Sequence, residues 1–170
     1  LSFSPSSFVL TANAVPSPTP ATINDPLTTI TAGATVPLYI SAFGGSSGGA
    51  SCGVVDTYDG SKNLRFWVDA LDPTAPPLVP TVDKLAIART EATSTSQVVR
   101  FTKGRASVSV QYKDTGRLAL RVLDSTVSPQ VRGATASFVS VPADLKIVAV
   151  TNASGMANPG SSTPTGKLFA

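Results

Sequence analysis

Two runs of strict alternation, one after the other, constrain this chain more than anything else in it. Ala106, Val108, Val110 and Tyr112 alternate with Ser107, Ser109 and Gln111. A period of two buries one face of a strand and wets the other. The pattern recurs downstream, with Leu118, Leu120 and Val122 facing in and Arg117, Ala119 and Arg121 facing out. Lys103-Gly104 precedes the first run and Asp114-Thr115-Gly116 separates the two, each with a glycine that can take the positive φ of a tight turn. Residues 97–124 therefore read as three consecutive antiparallel strands in a meander, within an all-β chain.

The flanking sequence fits a two-sheet sandwich. Phe8 to Thr11 predicts a short strand introduced by Pro5. Residues 13–26 carry Pro16, Pro18, Pro20 and Pro26, too many for a ladder or a helix interior, and predict a surface crossing. Thr35 to Ala42 resumes a strand, with Val36, Leu38 and Ile40 on one face; Pro37 places it at an edge or gives it an irregular start. Phe43 to Gly53 is a Gly/Ser-rich loop. Leu64 to Ala70 holds the only tryptophan, and alternation puts Trp67 on a face with Arg65 and Asp69. One of Phe66 and Trp67 then points outward unless a bulge intervenes. A large aromatic inside a strand favours burial, so Trp67 is expected in the core. Pro73 to Pro80 predicts a second crossing; Val82 to Arg89 alternates weakly, with Leu85 and Ile87 in phase. The Ser/Thr-rich residues 91–96 favour a loop, and Ala136 to Val139 a last short strand.

Composition narrows the chemistry. The 170 residues suit one core, and only 14% are charged, so the polar surface rests on Ser, Thr and Asn. That balance is common in secreted and surface-exposed β proteins, and the expected location is extracellular or a cell surface. A net charge of +3 implies no nucleic-acid partner, and no apolar run reaches the ~20 residues of a membrane span. Arg100, Lys103, Arg105, Lys113, Arg117 and Arg121 cluster on the three central strands, where their outward members would form a basic strip that protects strand edges. The chain has no histidine, and Cys52 is its only cysteine. No intrachain disulfide can form, and the thiol lacks the usual general base. Asp56, Asp59, Asp69 and Asp72 match no calcium-loop spacing and read as turn caps. We therefore assign no catalytic residue, no metal ligand and no cofactor, and expect a protein that is not an enzyme. The chain starts at Leu1 without the charged and apolar regions of a secretory signal, so any such signal is expected to have been removed or to lie upstream.

The C-terminal stretch repeats the opening. In PADLKIVAV, Pro142, Leu145 and Ile147 stand as Pro5, Phe8 and Leu10 stand in PSSFVLTA. This divides the chain into a β-sandwich domain, 1–141, and residues 142–170, which are a linker with the first strand of a following repeat or an exchanged strand. An extra C-terminal strand of this kind, with Leu145, Ile147, Val148 and Val150, would add to the edge of a neighbouring sheet; so would one containing Phe8 and Leu10. The expected partner is a neighbouring domain or another copy of the same chain.

The run Tyr58-x-Gly60-x-Lys62-x-Leu64-x-Phe66-Trp67, then Phe101, Gly104, Ala106, Val108, Tyr112, Asp114, Gly116, Leu118, Leu120 and Asp124, then Phe138 and Pro142, resembles the repeated immunoglobulin-like region of bacterial MshQ-like proteins of the mannose-sensitive haemagglutinin pilus system. The resemblance covers Cys52 to Pro142. It implies an immunoglobulin-like antiparallel β-sandwich of about seven to nine strands with Pro/Ser/Thr-rich connections. It also implies a type IV pilus or adhesion context, with pilus components as partners, and no catalytic residue. Three functions follow as expectations. The first is a structural module that serves as a spacer. The second is a self-assembling fibre subunit joined by strand complementation, and the third is a carbohydrate-binding adhesin module with Trp67 and Tyr58 as ligand contacts.

Overall fold

The computed structural model describes residues 5–20, 22–44 and 53–144, and among these the chain forms twelve strands and no helix. The first six are β1 (Ser7–Thr11), β2 (Thr29–Thr31), β3 (Thr35–Gly44), β4 (Gly53–Val54), β5 (Gly60–Asp72) and β6 (Thr81–Val82). The others are β7 (Leu85–Ala86), β8 (Ser96–Phe101), β9 (Arg105–Gln111), β10 (Gly116–Asp124), β11 (Val131–Ala134) and β12 (Phe138–Val141).

Hydrogen bonding groups them into two layers joined along one side. The first layer runs β8-β5-β10, with β11 and β12 sharing the far edge of β10; the second runs β1-β3-β9-β6-β7, with β4 on the end of β3. A ladder between β11 and β1 joins the layers, so the path is continuous there and open between β8 and the β6–β7 hairpin. The inner faces pack on each other: Phe8 of β1 stacks on Phe101 of β8 at 6.0 Å although the two strands share no ladder. Leu38, Ile40, Val108 and Val110 of the second layer meet Leu64, Phe66, Val68, Leu118, Leu120 and Val122 of the first in one buried cluster. The immunoglobulin-like sandwich is thus present, with more strands than expected because several hold only two or three residues.

The alternation of β9 and β10 reads correctly, but the meander does not. The Lys103-Gly104 turn closes β8 on β9 at the single bridge Thr102–Arg105; beyond it β8 stays on β5 while β9 runs beside β3. Asp114 to Gly116 then carries the chain back to the first layer, where β10 lies on β5. Alternation specifies which face is buried, and it is silent on which strand lies alongside.

Pro37 sits inside the β3–β9 ladder opposite Ser109. Ser109 gives both backbone groups to Asp83, so Pro37 faces it in a non-hydrogen-bonded pair and loses no bond for want of an N–H. The β6–β7 hairpin turns through Asp83 and Lys84, both at positive φ. It puts Leu85 outside and Ile87 inside, so the two are not in phase as expected. The last strand begins at Phe138 and is preceded by β11, which no sequence pattern marks. One residue more on β11–β12 than on β10 makes a bulge there, where the Thr135 hydroxyl accepts the Leu120 N–H at 2.9 Å.

Two ladders are parallel, which an antiparallel expectation excludes. β1 pairs with β11 from Ser7–Arg132 to Val9–Ala134, and β2 with β12 from Thr29–Val139 to Thr31–Val141.

Candidate functional site

The residues expected to make contacts fall in three places. Phe8 and Leu10 lie buried on β1, which is paired on both edges, antiparallel to β3 and parallel to β11. The chain thus completes its own sheet with β1. Leu145, Ile147, Val148, Val150 and Cys52 lie outside the described residues.

Tyr58 is in the core, only 4% exposed, with its ring edge-on to both Phe8 and Phe101. Its hydroxyl donates to the fully buried Asp124, whose other oxygen accepts the Thr126 N–H at 2.8 Å and hydroxyl at 2.6 Å. Burial, then the hydrogen bond and the charge of Asp124, push the Tyr58 phenol far above its ordinary range. The ring stays neutral, and the Lys62 ammonium lies over it at 4.6 Å.

Trp67 is not the core aromatic. Leu64, Phe66 and Val68 face inward, and Trp67 takes the outer face with Arg65 and Asp69, with no bulge between them. It is nonetheless only 9% exposed. Residues 88–95 leave β7 and bridge to β5 where Ala88 meets Trp67. Arg65 then holds this segment by its backbone, donating to the carbonyls of Glu91 and Ser94 and to the Ser94 hydroxyl. On the far side the Glu91 carboxylate takes both Arg132 guanidinium nitrogens, at 2.7 and 2.9 Å. That pairing holds the Glu91 carboxyl below its usual range and raises the Arg132 guanidinium. Arg65, Leu123 and Arg132 stand side by side in register across β5, β10 and β11, so the clasp spans Leu123, an outward-facing residue that is 1% exposed. An open depression of about 240 Å³ beside it is lined by Trp67, Arg121, Arg132 and the floor of β11.

The central basic residues form no continuous strip, because their strands lie in different layers. Arg105 turns to the Val15 and Pro16 carbonyls and to Asp56, whereas Arg121 pairs with Asp69 at 2.7 Å. Asp59 caps the β8–β9 turn by accepting the Lys103 N–H at 2.9 Å. Among the described residues no three metal-ligating side chains come together.

Among the described residues one edge of the sandwich is open along its length. β8 bonds β5 in an unbroken register from Ser96–Arg65 to Phe101–Gly60. Thr102 exchanges both backbone bonds with Arg105 on the other side, so alternation turns Phe101, Val99 and Gln97 toward β5. Ser96, Val98 and Arg100 aim their N–H and C=O groups outward, and among the described residues nothing takes them. No signal in the sequence marks this edge, because a meander would cover it with β9.

No curated protein matches the chain. Four solved chains do; one is the ASH/PapD-like domain (PapD-like domain 7) of human CEP192, 12% identical over 82% of this chain and 89% of that one, with a TM-score of 0.27. A family model described as "Domain of unknown function (DUF6701), first Ig-like domain" matches residues 1–137. Strands β1 to β11 fall within the matched residues and β12 follows directly after them, and the chain belongs to that family of Ig-like domains.

Proposed function

We propose that this chain is a non-enzymatic structural module of a secreted or cell-surface, pilus-associated bacterial protein, a spacer that transmits tension along a string of similar domains. The observation that carries the reading is the pairing of its first two strands with its last two. β1 runs parallel to β11, and β2 parallel to β12. Tension drawn from before Ser7 and after Val141 pulls these neighbours in opposite senses along their length, so each ladder is sheared and its bonds are loaded together. An antiparallel pair of end strands would instead unzip, breaking its bonds in succession. The low charge, the Pro/Ser/Thr-rich connections and the resemblance to the pilus-associated repeats support the location and the context. The family's description as a first Ig-like domain supports a tandem arrangement. A sugar-binding role would need an open aromatic face, and Tyr58 and Trp67 offer little of either ring.

Single-molecule pulling tests the reading. Handles at residues 6 and 142 shear the parallel ladders, whereas handles at residues 6 and 44 peel β1 from β3 starting at the Ser7–Phe43 pair. The first geometry should require severalfold more force at equal loading rate, since forced unfolding follows the barrier and not the equilibrium stability. Equal forces would end the case for a load-bearing spacer.

A further inference from the structure

We propose that β8 is a self-complementary docking edge, through which two copies of this chain pair antiparallel about Val98. The proposal is independent of the load-bearing reading above and rests on four features of the edge. It is long and regular, six residues in one register with no bulge and no proline. Natural edges are usually blunted by such devices, by inward charges or by a covering segment. Three residues, Ser96, Val98 and Arg100, offer backbone groups that no described residue takes, in the alternation that a new strand needs. Val98 is 68% exposed, the highest value among the described large apolar side chains, and stands at the middle of these three.

The fourth feature selects a second copy of the chain over an unrelated strand. Antiparallel pairing about Val98 sets Val98 against its own counterpart, and Arg100 against the counterpart of Ser96. Each of the three facing pairs exchanges two hydrogen bonds, six in all, and the only charged residue of the strand never meets itself. The exposed valines form a cross-strand apolar pair flanked by Asn63 of each β5, the residue in register with Val98. The contact is isologous, hence closed, and ends at the dimer. It consists of one strand edge, so it falls at the small end of interfaces, under about 1,200 Å², and is weak unless copies are held together. Copies joined by a tether would meet at an effective concentration in the millimolar range, where such an edge closes.

Light scattering on the full chain, from micromolar to about 1 mM, tests this directly, the upper limit matching what a short tether provides. The mass should rise from 17.3 kDa toward twice that value. Val98→Lys, at an exposed position whose N–H bonds nothing among the described residues, should keep the melting temperature and abolish the rise, because it sets two ammonium groups face to face. Ser96→Glu should associate severalfold more tightly at low salt by facing Arg100, and lose that gain at high salt. In the parent, exchange of the Ser96, Val98 and Arg100 amides should slow as concentration rises, with Gln97, Val99 and Phe101 unaffected. A monomer throughout, growth beyond the dimer, or a dimer indifferent to Val98→Lys overturns the proposal. A Ser96→Glu variant that associates no better, or protection of the opposite amides, overturns the register. None of these outcomes bears on the pulling experiment.

Discussion

Tyr58 and Tyr112 are both buried phenols that make opposite demands on the core. The Tyr58 hydroxyl helps satisfy a carboxylate with no exposure, so Tyr58→Phe should cost about 1–3 kcal/mol by leaving Asp124 short of a donor. The Tyr112 hydroxyl has no hydrogen-bond partner among the described residues, and Tyr112→Phe should be neutral or stabilising by up to about 1 kcal/mol. Chemical denaturation of the two variants decides this, and a loss at Tyr112 equal to that at Tyr58 would refute it. Burial raises both phenols, that of Tyr58 further through Asp124 and that of Tyr112 through the charge of Asp114. Below about pH 10 folded and unfolded states both keep these protons and stability is full. Above it the unfolded chain releases them first, so stability should fall with rising pH, by up to about 1.4 kcal/mol per pH unit for Tyr58 and in the same direction for Tyr112. Each Phe variant should remove one share of that slope.

At the scale of elements, the parallel contact between β1 and β11 depends on Gly133. A Cβ there would lie 2.6 Å from both the Phe8 Cβ and the Phe8 carbonyl oxygen, and 2.8 Å from a Leu10 methyl. Two of those are atoms that cannot swing aside. Gly133→Ala should therefore push β11 off β1 and cost at least the ~1–3 kcal/mol of an overpacked core. Amide exchange should show the loss first on Ser7 to Val9, and a variant as stable as the parent would show that the strands can separate freely. The clasp over the outer face is a different kind of element, since Arg65 grips backbone atoms and only Arg132 depends on the Glu91 side chain. It lets Leu123 and Trp67 face away from the core and still be covered.

For the molecule as a whole, β1 is the closing piece. It supplies Phe8 and Leu10 to the core, and without it β3 and β11 would each expose an edge. Losing two large buried side chains costs more than about 5 kcal/mol, comparable to the entire stability of a small domain. A chain lacking residues 1–12 should lose its cooperative thermal transition by circular dichroism, and a peptide spanning residues 5–13 should restore it. A truncated chain that melts as the parent does would show that the sandwich closes without β1.

The all-β class, the strands at Phe8, Thr35 and Leu64, and the buried faces of β9 and β10 are legible in the residues alone, because a period of two is written in local order. Alternation also places Trp67 on a face with Arg65 and Asp69, though size favoured the core. What covers that face is residues 88–95, which reach it from the β6–β7 hairpin and hold on through Arg65 and Glu91, groups that carry no periodic signal. β11 escapes notice because four residues with a glycine and an arginine show no alternation. Strand partners, by contrast, are set by the folded molecule. The two turns that look like hairpins, at Lys103-Gly104 and at Asp114-Gly116, both lead from one layer to the other, since a turn fixes a change of direction and not the sheet in which the next strand is buried. That choice is made by nonlocal packing, and it alone leaves β8 with an edge that no described residue pairs.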